Sequence, residues 1–381
     1  MNAIDPIQSK YDHVILVLQG GGALGAYQAG VYEGMAEAGY LPDWVTGVSI
    51  GAINAALIAG NPPASRVARL RAFWERVSSG LLVTPPPAPP LHRVAAQASA
   101  VLSATFGVPG FFLPRVPSPL AMPDGHPAAL SVYDPRPLRD TLGELVQFGL
   151  INRGKVRLSV GAVNVRSGNS SYFDNARDEI RVEHVMASGA LPPAFPPVEI
   201  GGEHYWDGGI VSNTPLWYVL DDSPVMNALI VQVDLFSARG ELPRDLDQVM
   251  ERHKDIIYSS KTRFNTTHVS MLQRQRSALH RLLEKLPEPM LKDPDVRALR
   301  SVTSDKRIDI VHLINRRYSF SSQSKDFEFS RATTRERWAA GLADMRRTFR
   351  HPEWLSASEL ADGVRTYDLT RQTERATAQS A

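Results

Sequence analysis

The sequence predicts an α/β protein built in three layers on a mainly parallel sheet, and three stretches carry that expectation. His13–Gln19, "HVILVLQ", is an unbroken apolar and β-branched run, the pattern of a strand buried on both faces. Three glycines stop it, and helix-like sequence follows over residues 23–38. A second short strand, "DWVTGV", then meets a small-residue helix, "IGAINAALIAGN". Strand, helix, strand, helix at this spacing implies crossover units with helices covering the sheet.

The other elements follow in order. Gly39 and Pro42 end the first helix, and Gly60-Asn61-Pro62 ends the second. Residues 65–77 form an amphipathic helix with Val67, Leu70, Phe73 and Val77 on one face. Between Pro85 and Pro137 stand 13 of the 28 prolines, a density that argues against any long regular helix or central strand there. Residues 84–137 therefore read as an irregular insertion on the core or, in a sharper version, as an apolar flap over a lipid-binding cleft. Regular structure resumes with "RPLRDTLGELV" as helix, "KVRLSVGAVNV" and "ALIVQVDLF" as strands, and "ARDEIRVEHVMASGALPP" running into a loop. Residues 246–286 read as helical and basic, "RIDIVHLIN" as a late strand and "TTRERWAAGLADMRRTF" as a final helix. The expected organisation is a core over 1–236, a basic and mainly helical C-terminal extension over 237–365 packed on it, and a polar tail over 366–381.

Composition narrows the function classes. The chain is 43% hydrophobic and 22% charged, which suits a globular protein with a sizeable core. A formal net charge of +2 gives no argument for nucleic acid. The charge is uneven, because residues 251–350 hold 22 Lys and Arg against 12 Asp and Glu, a balance of +10. That third is the candidate for an anionic partner such as a membrane surface. The absence of cysteine excludes disulfides, thiolate catalysis and Cys-based zinc sites. Residues 14–31 and 45–59 are apolar but interrupted by glycines, and the first holds Gln19 and Gln28, so buried strand–turn–helix units explain them better than membrane spans. "MNAIDPIQSKYDH" lacks the basic and apolar regions of a secretory signal. The expected setting is cytoplasmic, with peripheral membrane contact and no membrane crossing.

Three short motifs carry the chemistry. Gly20-Gly21-Gly22-Ala23-Leu24-Gly25 directly follows a strand and opens a helix. It fits the dinucleotide pattern G-x-G-x-x-G, with Asp43 at the distance of a ribose-binding acid. Asp43, however, begins the second strand, whereas that acid belongs at its end. The competing use is an oxyanion hole, in which backbone amides at a glycine turn face developing negative charge. The second motif, Gly47-Val48-Ser49-Ile50-Gly51, matches G-x-S-x-G and has the strand before and helix after that hold a serine on a strained turn. A serine hydroxyl needs a base. His92, His126, His184, His204, His253, His268, His280, His312 and His351 all lie downstream, and none stands in a distinctive motif. The third motif, Asp207-Gly208-Gly209 in "YWDGGIVSNTPL", reads as an acid at a strand end, either a turn cap or a direct base whose pKa the site must raise.

Taken together and in this order, the three motifs resemble the patatin-like phospholipase family of lipid acyl hydrolases, as does the stretch "MASGALPPAFPPVEIGGEHYWDGGIVSNTP". The resemblance covers roughly residues 14–216. It implies an α/β/α sandwich and a Ser–Asp dyad, with Ser49 as nucleophile and Asp207 as general base. Amides around Gly20, Gly21 and Gly22 would form the oxyanion hole, and Gly25, Gly47, Gly51, Gly208 and Gly209 would shape the turns. No metal or organic cofactor is implied, and the partner is a lipid or acyl-ester substrate. One departure is Leu24, where the family's glycine motif usually carries Lys or Arg; it shifts the expectation toward a neutral ester or lysolipid. Alternatives are a general esterase on short-chain or polyester substrates, a non-catalytic lipid- or partner-binding module, and a nucleotide-dependent oxidoreductase. Head group, acyl chain and oligomeric state are not legible in the sequence.

Overall fold

The structure, a computed structural model, describes residues 11–78, 89–222, 227–260, 262–303, 308–316, 324–350 and 364–367. In chain order the first half contains β1 (His13–Leu18), α1 (Ala26–Glu37), β2 (Trp44–Val48), α2 (Ile50–Ala59), α3 (Arg66–Val77), α4 (Pro89–Phe106), β3 (Leu113–Pro114), β4 (Tyr133–Asp134), α5 (Arg136–Leu145) and α6 (Phe148–Ile151). The second half contains β5 (Arg157–Asn164), β6 (Ser170–Asp174), α7 (Val182–Ser188), β7 (Val198–Ile200), β8 (Glu203–Asp207), α8 (Leu216–Asp222), β9 (Ala228–Asp234), α9 (Leu246–Tyr258), α10 (Thr262–Leu283), α11 (Pro294–Val302), β10 (Ile308–Ile314), α12 (Arg331–Phe349) and β11 (Val364–Tyr367).

Nine strands form one sheet in the order β11-β10-β9-β1-β2-β5-β8-β7, with β6 also paired to β5. Pairing is parallel from β11 across to β5 and antiparallel for β6, β7 and β8. The apolar run of β1 is explained by burial on both faces. Val14, Leu16 and Leu18 join the larger core with α1, α2 and α3, while Ile15 and Val17 pack with Leu216 and Val219 of α8. Strand β9 divides the same way, with Leu229 and Val231 on one face and Ala228 and Ile230 on the other. These two cores make the three layers. No helix among the described residues is long and apolar enough to cross a membrane.

One expectation changes. The proline-dense insertion was expected to hold no long regular helix, yet α4 is an 18-residue helix within it. Its prolines sit at its first two positions, where a missing amide costs nothing, and the next proline is Pro109. Proline count over the whole segment hid this proline-free window. The chain after Phe236 is mainly helical and carries the expected late strand as β10. It supplies β10 and β11 to the sheet, and α12 packs along α1 so closely that a Cβ at Gly341 would lie 2.0 Å from the Tyr27 carbonyl oxygen. Residues 84–88 of the insertion and 368–381 of the tail lie outside the described residues.

Candidate active site

Strand β2 passes into α2 through a single residue, Ser49, with φ 57 and ψ −125. It is the one non-glycine residue of positive φ among the described residues. Such a backbone costs about 1–3 kcal/mol and persists only where its surroundings enforce it. Here the enforcement is steric. A Cβ at Gly51 would stand 2.3 Å from the Leu18 carbonyl oxygen, and one at Gly47 would stand 2.3 Å from Gly51. Only glycines at both positions let β1, β2 and α2 meet this tightly. The turn aims the hydroxyl away from the strand, with the positive end of α2 behind it.

Asp207 ends β8, which pairs with β5 at Ala162. The Ser49 side chain lies close enough to the Asp207 carboxylate to lower its pKa, and the Gly209 amide donates to Asp207 Oδ1 at 2.7 Å. The carboxyl is 2% exposed. Burial pushes its pKa up to about 7, against the nearby Ser49 hydroxyl and the Gly209 amide, which pull it down. One short stretch clamps both residues. The Ser49 amide donates to Ser188 O at 3.1 Å and Ser188 Oγ at 3.0 Å, while the Asp207 amide donates to Ala190 O at 3.0 Å. Ser188 in turn donates to the Gly161 carbonyl on β5 at 2.6 Å.

The glycine loop lies beside this pair, since a Cβ at Gly20 would come 3.0 Å from Ser49 Cβ. The Gly20 amide donates to Asn213 O at 3.1 Å, so it is already engaged. Gly21 and Gly22 lead into a 3₁₀ turn over Gly22–Gly25, where amides lack intrahelical partners. Gly25 packs on Ile50 and Trp74, and Gly208 on the backbone of Gly161. Leu24 is 1% exposed and belongs to the apolar core.

Side chains that the sequence did not single out fix the loop. Gln19 donates to Thr214 Oγ1 at 2.8 Å and to Tyr258 O at 3.0 Å, and its Oε1 accepts from the amides of Leu235 and Phe236. Asn213 Nδ2 donates to Gly20 O at 3.1 Å and Tyr258 O at 2.9 Å. A buried Gln directly before three glycines was the available signal, because a fully buried amide must be satisfied by specific partners.

Ser49, Asp207 and Gly20–Gly22 line one cavity. Six phenylalanines line the rest of its wall: Phe111 and Phe112 from the insertion, Phe195, Phe236, and Phe327 and Phe329 from the C-terminal part. Among the described residues its charged lining comprises Asp207, Lys254 and Asp326, the last two joined by an ion pair of 2.8 Å. No histidine is among that lining. His204 lies in β8 opposite Glu199, and His312 is buried against Asp234 at 2.7 Å. Asp43, the candidate ribose ligand, instead holds the Val14 amide at 3.0 Å and His13 at the start of β1.

These features define a three-layer α/β protein with a strained serine and a buried aspartate at the floor of an apolar cavity. The chain belongs to the patatin-like phospholipase family, whose model matches residues 16–220. A second model, DUF3734, described as patatin phospholipase, matches residues 256–360. Family membership supports lipid acyl hydrolase activity. No curated protein matches. Among solved structures, the chain is similar to VipD from Legionella pneumophila, with 15% identity and a TM-score of 0.38, over 88% of this chain and 67% of that one. It is also similar to human GIVD cytosolic phospholipase A2, with 12% identity and a TM-score of 0.35, over 61% of this chain and 44% of that one.

Proposed function

We propose that the protein is a serine-dependent hydrolase of lipid carboxylic esters working through a Ser49–Asp207 dyad. The observation that carries this reading is that Ser49, on its strained turn, and the buried Asp207, whose carboxyl burial pushes up to about 7, line one cavity rich in phenylalanine. A base poised near neutrality both holds its charge at working pH and can accept a proton. Asp207 takes the Ser49 proton as the hydroxyl attacks the ester carbonyl. Amides of Gly21 and Gly22 are the candidate donors to the oxyanion, each such donor being worth about 3 kcal/mol in the transition state. The alcohol or lysolipid leaves with the proton, and water cleaves the acyl-enzyme by the same route in reverse. The aromatic wall suits an acyl chain, and peripheral contact with a membrane would deliver it.

Fluorophosphonate labelling tests the assignment. Wild type should label stoichiometrically, Ser49→Ala should not label, and Asp207→Asn should label far more slowly. Labelling that persists in Ser49→Ala would reject Ser49 as nucleophile, and full turnover by Asp207→Asn would reject the dyad.

A further inference from the structure

Two exposed apolar strips border the cavity, one in the insertion and one on α9. On α9, Lys254 and Tyr258 line the cavity wall. At about 100° per residue, Leu246, Met250 and Ile257 all fall within about 80° of Lys254, on the side away from Tyr258. All three are exposed, Leu246 at 73% and Ile257 at 51%. In the insertion, Leu102, Phe106 and Leu113 edge a shallow groove whose wall includes Phe329, which also lines the cavity. Phe106 is 70% exposed. Clusters of large exposed apolar side chains on a folded protein mark interaction sites.

Charge says what the α9 strip faces. Its neighbours Glu251, Asp255 and Asp326 are matched by Arg252, Lys254 and Lys325. Lys325 bridges to Glu251 and Asp255, Lys254 binds Asp326, and Arg252 caps the carbonyls of Ser237 and Ala238. The basic excess of the C-terminal third is partly consumed elsewhere, Arg346 on Glu37 and Arg337 on the carbonyls of Lys325 and Glu328. Among the described residues, the α9 side of the rim thus offers apolar side chains beside charges that are paired or engaged.

We infer that these two strips form a collar that seats the cavity mouth on a lipid surface through apolar insertion, with charge attraction secondary. The partner is the lipid aggregate that supplies the substrate, so the inference rests on the hydrolase reading above. Aliphatic side chains at the headgroup boundary pull the mouth against the acyl region, so that a chain passes from the layer to the phenylalanine wall without crossing water.

The test is vesicle flotation with phosphatidylcholine alone and with added phosphatidylglycerol, at low and high salt. Wild type, Leu246→Ser/Ile257→Ser and Phe106→Ser are compared. Hydrolysis of a soluble short-chain p-nitrophenyl ester and fluorophosphonate labelling are run beside it. The inference expects wild type to float with phosphatidylcholine at either salt. Each variant should lose about tenfold or more in partitioning, about 1.4 kcal/mol, with soluble-ester turnover unchanged. Binding that requires phosphatidylglycerol and vanishes in salt would overturn it in favour of the basic surface. Variants that float like wild type would overturn it outright. So would a wild type that ignores vesicles but dimerises in sedimentation while the variants stay monomeric, since a second copy would then cover the collar. Loss of soluble-ester turnover and labelling in wild type would count against the hydrolase reading instead, and flotation stays readable by itself.

Discussion

Replacing Asp207 by asparagine isolates what it costs to hold a negative charge at the floor of the cavity. Asparagine keeps the shape and keeps an acceptor for the Gly209 amide, so the change is mainly one of charge. In the folded protein the carboxyl ionises at about 7, against an ordinary value of 3.8. An acid whose folded pKa is raised destabilises the fold as pH climbs. Below 3.8 both folded and unfolded chains hold the proton and nothing is lost. Between 3.8 and about 7 only the unfolded chain gives it up, and each pH step removes about 1.4 kcal/mol of stability. Above about 7 the loss is complete at about 4 kcal/mol. Asparagine incurs none of it. Urea unfolding should therefore find the two proteins nearly equal at about pH 4 and the variant more stable by about 4 kcal/mol at about pH 9. The same variant should be almost inactive, while wild-type kcat/KM should rise to a plateau above about pH 7. An equal offset at both pH values, or a wild type more stable at the higher one, would refute the argument that burial has raised this carboxyl into the working range.

Other perturbations follow from the same geometry. Gly51→Ala puts a methyl group 2.3 Å from backbone oxygen of β1, which cannot move aside as a side chain would, so thermal unfolding should show a loss of about 3 kcal/mol or more. Ser188→Ala removes one acceptor of the Ser49 amide and the donor to Gly161; kcat should fall about tenfold with KM little changed, and stability by about 1–2 kcal/mol, read by steady-state kinetics and urea unfolding. Equal changes in kcat and KM would show that Ser188 does not act through the serine turn. Lys254→Met should lower kcat/KM for anionic lipid esters about tenfold relative to neutral esters, because Lys254 is the cation lining the cavity among the described residues. An unchanged ratio would remove it from head-group recognition.

The sequence by itself determined most of the backbone that carries the candidate site. Local backbone demands are written locally: a β-branched run stopped by glycines, a serine between glycines at a strand–helix junction, and an acid before two glycines each constrain their own few residues. That is why β1, β2, α2 and β9 and the three motifs were legible. It is also why averaging failed in the insertion, where the prolines flank α4 and open it without entering its interior. Tertiary structure alone decided what depends on distant partners. Ser49 and Asp207 come together at the ends of two strands that flank β5, and the pKa of about 7 comes from burial that no short motif encodes. Gln19, Ser188 and Asn213 became visible only through the backbone groups they satisfy across the fold. The position of Lys254, Phe327 and Phe329 in the cavity wall, and of β10 and β11 in the sheet, depended on how the last third of the chain folds back over the first. Polar groups and close approaches set by long-range packing leave only ordinary residues in the sequence, because their partners, and hence their meaning, lie hundreds of residues away.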